Sequence, residues 1–145
     1  MARLVLLNGA PVDALAVIVH KDADLDLAAK SILFAAVGTA GQRCTTTRRL
    51  IAHESVVDEL TRRLVAAYGK VQIGDPLKES TLVGPLVTPA AVEGFLKAIA
   101  LAKEQGGTLL TGGERATNLA GEISGGNYVR PAIIRAPSNN ALAIS

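Results

Sequence analysis

Tryptophan is absent, cysteine and methionine occur once each, and phenylalanine and tyrosine occur twice each. One thiol excludes an internal disulfide framework and a cysteine-rich structural zinc site. That thiol, Cys44, is free unless a second chain pairs with it, a usage that suits a reducing compartment, and a cytoplasmic location is expected. Charge of neither sign dominates: 15 basic against 13 acidic residues leave a net +2. This spread offers no electrostatic footprint for nucleic acid and no polybasic membrane anchor. The pairs Arg48-Arg49 and Arg62-Arg63 lack interleaved aromatics, so they read as solvated faces or ion pairs rather than an RNA or DNA platform. Long apolar runs are missing too. The stretch Ile32 to Ala40 falls well short of the roughly 20 residues of a membrane span. The opening run meets Asn8, Gly9, Pro11 and Asp13 too soon for a signal-peptide core, so neither secretion nor a membrane is expected. The two histidines, His20 and His53, have no paired ligands around them in sequence, and no metal site is expected.

What is present is apolar bulk. Hydrophobic residues make up 49% of 145 and charged ones 19%, which excludes disorder and predicts one globular domain. A mean hydropathy of +0.32 is high for a small monomer. A homo-oligomer is therefore expected, or a domain whose usual partner domain is missing. Ala14 to Val19 reads as a buried strand. Asp24 or Asp26 caps a helix running to about Val37, and Gly38 and Gly41 break it. Arg49 to His53 reads as a strand, and Ser55 as the N-cap of an amphipathic helix ending at Gly69. Gly74-Asp75-Pro76 and Gly84-Pro85 enclose a loop. Thr88-Pro89 opens a helix to about Gln105. Thr108 to Thr111 and Tyr128 to Ile134 are strands around a glycine-rich loop. The order β-α-β-α-α-β-β predicts an α/β three-layer sandwich with a largely parallel sheet.

The sharpest local feature is Gly38-Thr39-Ala40-Gly41-Gln42-Arg43-Cys44-Thr45-Thr46-Thr47-Arg48-Arg49, a cysteine between a glycine-broken helix and a strand. Arg43 in sequence, and Arg48 in space, would favour the nucleophilic thiolate. A single cysteine is also often a small buried hydrophobe, and both readings stay open on the residues alone.

The run Phe34 to Leu50, FAAVGTAGQRCTTTRRL, resembles the cysteine motif of NAD-dependent aldehyde dehydrogenases, nearest the antiquitin or α-aminoadipic semialdehyde dehydrogenase branch. Val19 to Leu27, Ile73-Gly74-Asp75-Pro76, Gly84-Pro85-Leu86 and Gly126-Asn127-Tyr128-Val129-Arg130-Pro131 resemble further family landmarks in family order, covering about residues 16 to 136. The resemblance implies that Cys44 attacks an aldehyde to form a thiohemiacetal, which gives hydride to NAD and becomes a thioester. It implies that the Cys44 N–H joins an oxyanion hole and that Arg43 grips the distal carboxylate of a semialdehyde.

Against the family pattern, residues 1–15 diverge. Leu6-Leu7-Asn8-Gly9-Ala10-Pro11-Val12-Asp13 stands where a glutamate base is expected, leaving Asp13 as a candidate substitute. No GxGxxG occurs, and Gly107 to Gly113 puts Gly113 where a P-loop needs lysine, so no cofactor-binding residue is assigned and NAD binding by this chain alone is doubtful. Residues 1–145 are read as one truncated catalytic domain without the cofactor-binding domain, the tail from Ser138 looking cut. The expected function is a fragment of a semialdehyde-oxidising enzyme, inactive as a dehydrogenase alone. The alternatives are a non-catalytic self-associating remnant or a residual thiol esterase.

Overall fold

The computed structural model describes residues 2–7, 15–117, 119 and 126–137. Among them, β1 (Ala2–Leu7), β2 (Leu15–Val19), α1 (Leu25–Val37), β3 (Thr47–Ala52), α2 (Glu54–Tyr68), α3 (Pro89–Glu104), β4 (Thr108–Thr111) and β5 (Ala132–Arg135) follow in chain order. Helix α1 begins where the Asp24 carboxylate accepts from the N–H groups of Asp26 and Leu27 at 2.9 and 3.1 Å. Helix α3 begins where Thr88 Oγ1 accepts from Ala91 N–H, with Pro89 filling a position that needs no donor. Helix α2 starts earlier than Ser55 predicts. Its cap is His53, whose Nδ1 accepts from Ser55 N–H at 3.2 Å, and Glu54 takes the first turn, where a carboxylate meets the positive end of the dipole.

The strands form one sheet in the order β2-β3-β1-β5-β4. The α/β class holds, but the sheet is not largely parallel. Only β2 and β3, joined by α1, run parallel; β1 lies antiparallel to both β3 and β5, and β5 is antiparallel to β4. The reason lies in the connections. A parallel return needs a crossover, which α1 supplies, whereas no helix among the described residues separates β4 from β5. Strand β1 was not expected at all, and it takes a central slot. Strand β5 starts at Ala132 rather than Tyr128, with Val129 making only an isolated bridge to Arg115.

Both faces of β5 are covered. Ile133 and Ile134 point to opposite faces and are both fully buried. Arg135, which pairs with Leu4, reaches Asp58 of α2 at 2.8 Å, and Arg63 of α2 reaches Asp26 in the first turn of α1 at 2.5 Å. On the other face the turn that ends α3 meets Ile134, where a Cβ on Gly107 would stand 3.0 Å from Ile134 Cγ2. The three layers are thus realised over β5. They thin out at the β2 edge, where Val19 is buried but Ile18, on the opposite face, is 68% exposed.

Candidate active site

At Gly38 (φ −53°, ψ 136°) the chain leaves α1 and turns left-handed for three residues: Thr39 (φ 56°), Ala40 (φ 52°) and Gly41 (φ 66°). Glycine adopts this region freely, but a β-branched threonine there costs about 1–3 kcal/mol, which neighbouring contacts must offset. The contacts are visible. Arg48, buried at the start of β3, donates from Nη2 to the Gly41 carbonyl at 2.8 Å, and burial lowers its guanidinium below the ordinary arginine value. Gln42 N–H donates to the Thr39 carbonyl at 3.1 Å. Residues 43–46 then close a second turn, Thr46 N–H donating to the Arg43 carbonyl and Arg43 N–H to Thr46 Oγ1.

Cys44 sits on that second turn and is exposed. Its own N–H makes no hydrogen bond to a described residue. Arg43 is half-buried and folds back onto α1. Its Nη2 donates to the Phe34 carbonyl at 3.4 Å, its guanidinium carbon lies 5.3 Å from the Phe34 ring centre, and its buried Nε has no partner among the described residues. A cation there meets the negative end of the helix. Arg48, expected as a cation for the thiol, is used as a strut beneath the turn instead. Asp13, the candidate base, lies outside the described residues, as does the tail 138–145.

Beside the turn an open depression of about 360 Å³ separates Thr39 and Ala40 from Pro76, Leu82, Gly84 and Pro85. Neither Cys44 nor Arg43 lines it. The parallel register of Val19 with Ala52 carries His20 and His53 side by side, their ring centres 5.9 Å apart, although 33 positions separate them in sequence. His20 bonds Asp22 at 2.6 Å. Even so, no group of three or more His, Cys, Asp or Glu among the described residues is placed to hold a metal, and none of the helices there is long and apolar enough to cross a membrane. Nothing in the sequence around Gln42 marks it for a role, yet its side chain joins the thiol segment to the 85–87 loop. No local pattern signals this, because the partners lie 43 and 45 positions away.

The sequence profile of the aldehyde dehydrogenase family matches residues 14–144. The chain belongs to the aldehyde dehydrogenase family. It is 54% identical over 127 residues to aldehyde dehydrogenase family 7 member A1 of Brassica napus, covering 88% of this chain and 24% of that protein. It is 47% identical over 126 residues to α-aminoadipic semialdehyde dehydrogenase of Mus musculus, covering 87% of this chain and 22% of that protein. The chain thus spans about a quarter of the length of these curated relatives. Among solved structures, a putative aldehyde dehydrogenase from Burkholderia cenocepacia superposes with a TM-score of 0.83 at 33% identity, covering 90% of this chain and 26% of the other. A betaine aldehyde dehydrogenase from Staphylococcus aureus, solved with NAD+, superposes at 0.85 with 23% identity, covering 90% and 25%, and speaks for the fold alone. The antiquitin-like branch and the α/β architecture of the family's catalytic domain are therefore those of this chain, and NAD-dependent aldehyde oxidation is the family's chemistry.

Proposed function

We propose that this chain supplies the nucleophile of a semialdehyde-oxidising dehydrogenase, with Cys44 in that role. The observation that carries this reading is the exposed turn at Cys44, where the chain's sole thiol lies beside an N–H with no partner among the described residues, within a motif of the family. As a thiolate, Sγ adds to the aldehyde carbon: the C–S bond forms, the carbonyl π pair moves to oxygen, and the Cys44 N–H donates to that oxygen. The product is a thiohemiacetal. Covalent capture of this kind asks of the chain only an exposed thiol and a positioned donor.

The next step in the family needs NAD, and the described residues do not fit it. A dinucleotide wants a glycine-rich turn opening a helix towards its phosphates. Here α1 opens on the Asp24 carboxylate, which repels them, α2 on His53 and α3 on Thr88-Pro89. No residue of this chain is assigned to hydride transfer, and the chain alone is proposed to be inactive as a dehydrogenase. Arg43 is proposed to face the distal carboxylate of the substrate. Its adjacency to Cys44 supports this, while its bond to the Phe34 carbonyl favours a second reading as a helix-end cation. A non-catalytic, self-associating module is the competing reading for the whole chain, favoured by the exposed Ile18 and Leu15 of the edge strand β2.

Exposure to p-nitrophenyl acetate followed by mass spectrometry tests the nucleophile. One acetyl group on Cys44, absent from Cys44→Ser, is the expected result. An unmodified thiol at neutral pH would overturn the nucleophilic reading and leave the self-associating module standing.

A further inference from the structure

We infer that Gln42 is the positioning residue of the thiol turn, an inference that rests on Cys44 being the nucleophile. Both ends of its amide are in use. Oε1 accepts from Val87 N–H at 2.8 Å, while Nε2 donates to the carbonyls of Pro85 at 3.4 Å and Thr39 at 3.3 Å. Only an amide offers an acceptor and two donors in one plane, and asparagine is a methylene shorter. The segment it grips is fixed: Leu86 N–H donates to the Asn127 carbonyl at 2.8 Å, Gly74 N–H donates to the Val83 carbonyl at 3.1 Å, and Val83 and Leu86 are both buried. The segment it holds is anchored on either side of the thiol, by buried Ala40, by Arg48 on the Gly41 carbonyl and by buried Thr46, but Cys44 itself is exposed and the left-handed residues before it are strained. Gln42 therefore ties a strained, exposed turn to a rigid rail two residues before the nucleophile, where small displacements of a reacting atom cost large factors in rate.

Because Cys44 is the only thiol, a nitroxide attached there reports the turn alone. In the full chain its motion should be that of an anchored turn. In Gln42→Ala it should quicken towards the sub-nanosecond motion of a free side chain, while the thermal midpoint falls by no more than about 4 °C. Gln42→Glu keeps the acceptor for Val87 N–H and loses both donors, so its label should move at an intermediate rate or match Gln42→Ala. Native-like label motion in both variants would overturn the inference, as would a quickened label that appears only with global unfolding. The readout involves no reaction, so it separates a failure of the Gln42 assignment from a failure of Cys44 as nucleophile, which the acylation test decides.

Discussion

The sheet around β5 and the turn carrying Cys44 are held by different physics. At β5, Ala132, Ile133 and Ile134 are buried on both faces of the sheet within one apolar core, so many small apolar contacts share the load. At the turn, only Ala40 reaches the apolar core, and residues 39–46 are otherwise held by a few long polar side chains: Arg48 on Gly41, Gln42 on Val87 and Pro85, Arg43 on Phe34. Burial is redundant and hydrogen bonding is not. A change in the first region should alter whether the chain folds, and a change in the second should alter where the thiol sits.

The largest effect is expected in the core. Phe95 of α3 is completely buried, and Phe95→Ala removes a whole ring from a close-packed interior. A loss of about 3–5 kcal/mol in urea unfolding is expected, a large share of the roughly 5–15 kcal/mol that holds a domain together. A loss under about 1 kcal/mol would show that α3 is dispensable and break the contrast with the turn.

A smaller, pH-dependent effect belongs to the ion pairs on the surface of α2. Arg62 and Arg63 both bond Glu59, at 2.7 and 2.6 Å, and hold its carboxyl well below the usual range, at about 2. A depressed carboxylate contributes stability that is complete above its unfolded value near 4.5 and is lost as pH falls towards 2. The stability gap between the native chain and Glu59→Gln should therefore be flat at neutral pH, shrink below about 4.5 and close near 2. Both arginines sit at a surface, so the gap itself is expected to be small. A gap that widens on acidification would contradict the pairing.

The two regions also differ in how much of them the sequence discloses. Asp24 and Thr88-Pro89 announce their helices because capping is local chemistry, and β2 and β4 announce themselves as short apolar runs between breakers. Direction in the sheet is not local. The slot that β1 takes between β3 and β5 depends on pairing across the whole chain, and so does the meeting of His20 with His53. At the site, Cys44 and its motif are plain in the sequence. The left-handed Thr39 and Ala40 are not, since propensity assigns such angles to glycine, and the roles of Gln42 and Arg48 exist only once the chain has folded.

The smallest expected effect tests the turn. A Cβ on Gly38 would stand 2.8 Å from Arg43 Nη2, the far end of a flexible side chain, while the backbone of Gly38 already lies where alanine is comfortable. Gly38→Ala should push the guanidinium off the Phe34 carbonyl and leave the fold intact. The lost cation–π contact is worth about 0.5–1 kcal/mol, and removing a glycine from the unfolded chain returns about 0.4–1 kcal/mol, so stability should hardly move. NMR should show the Phe34 ring signals shifting as the cation leaves. If the unfolding midpoint instead drops as it does for a core substitution, Arg43 is part of what folds α1, and its guanidinium is a helix-end cation before it is anything else. If the midpoint holds while the ring signals shift, the guanidinium is free to turn towards a carboxylate beside Cys44 at little cost.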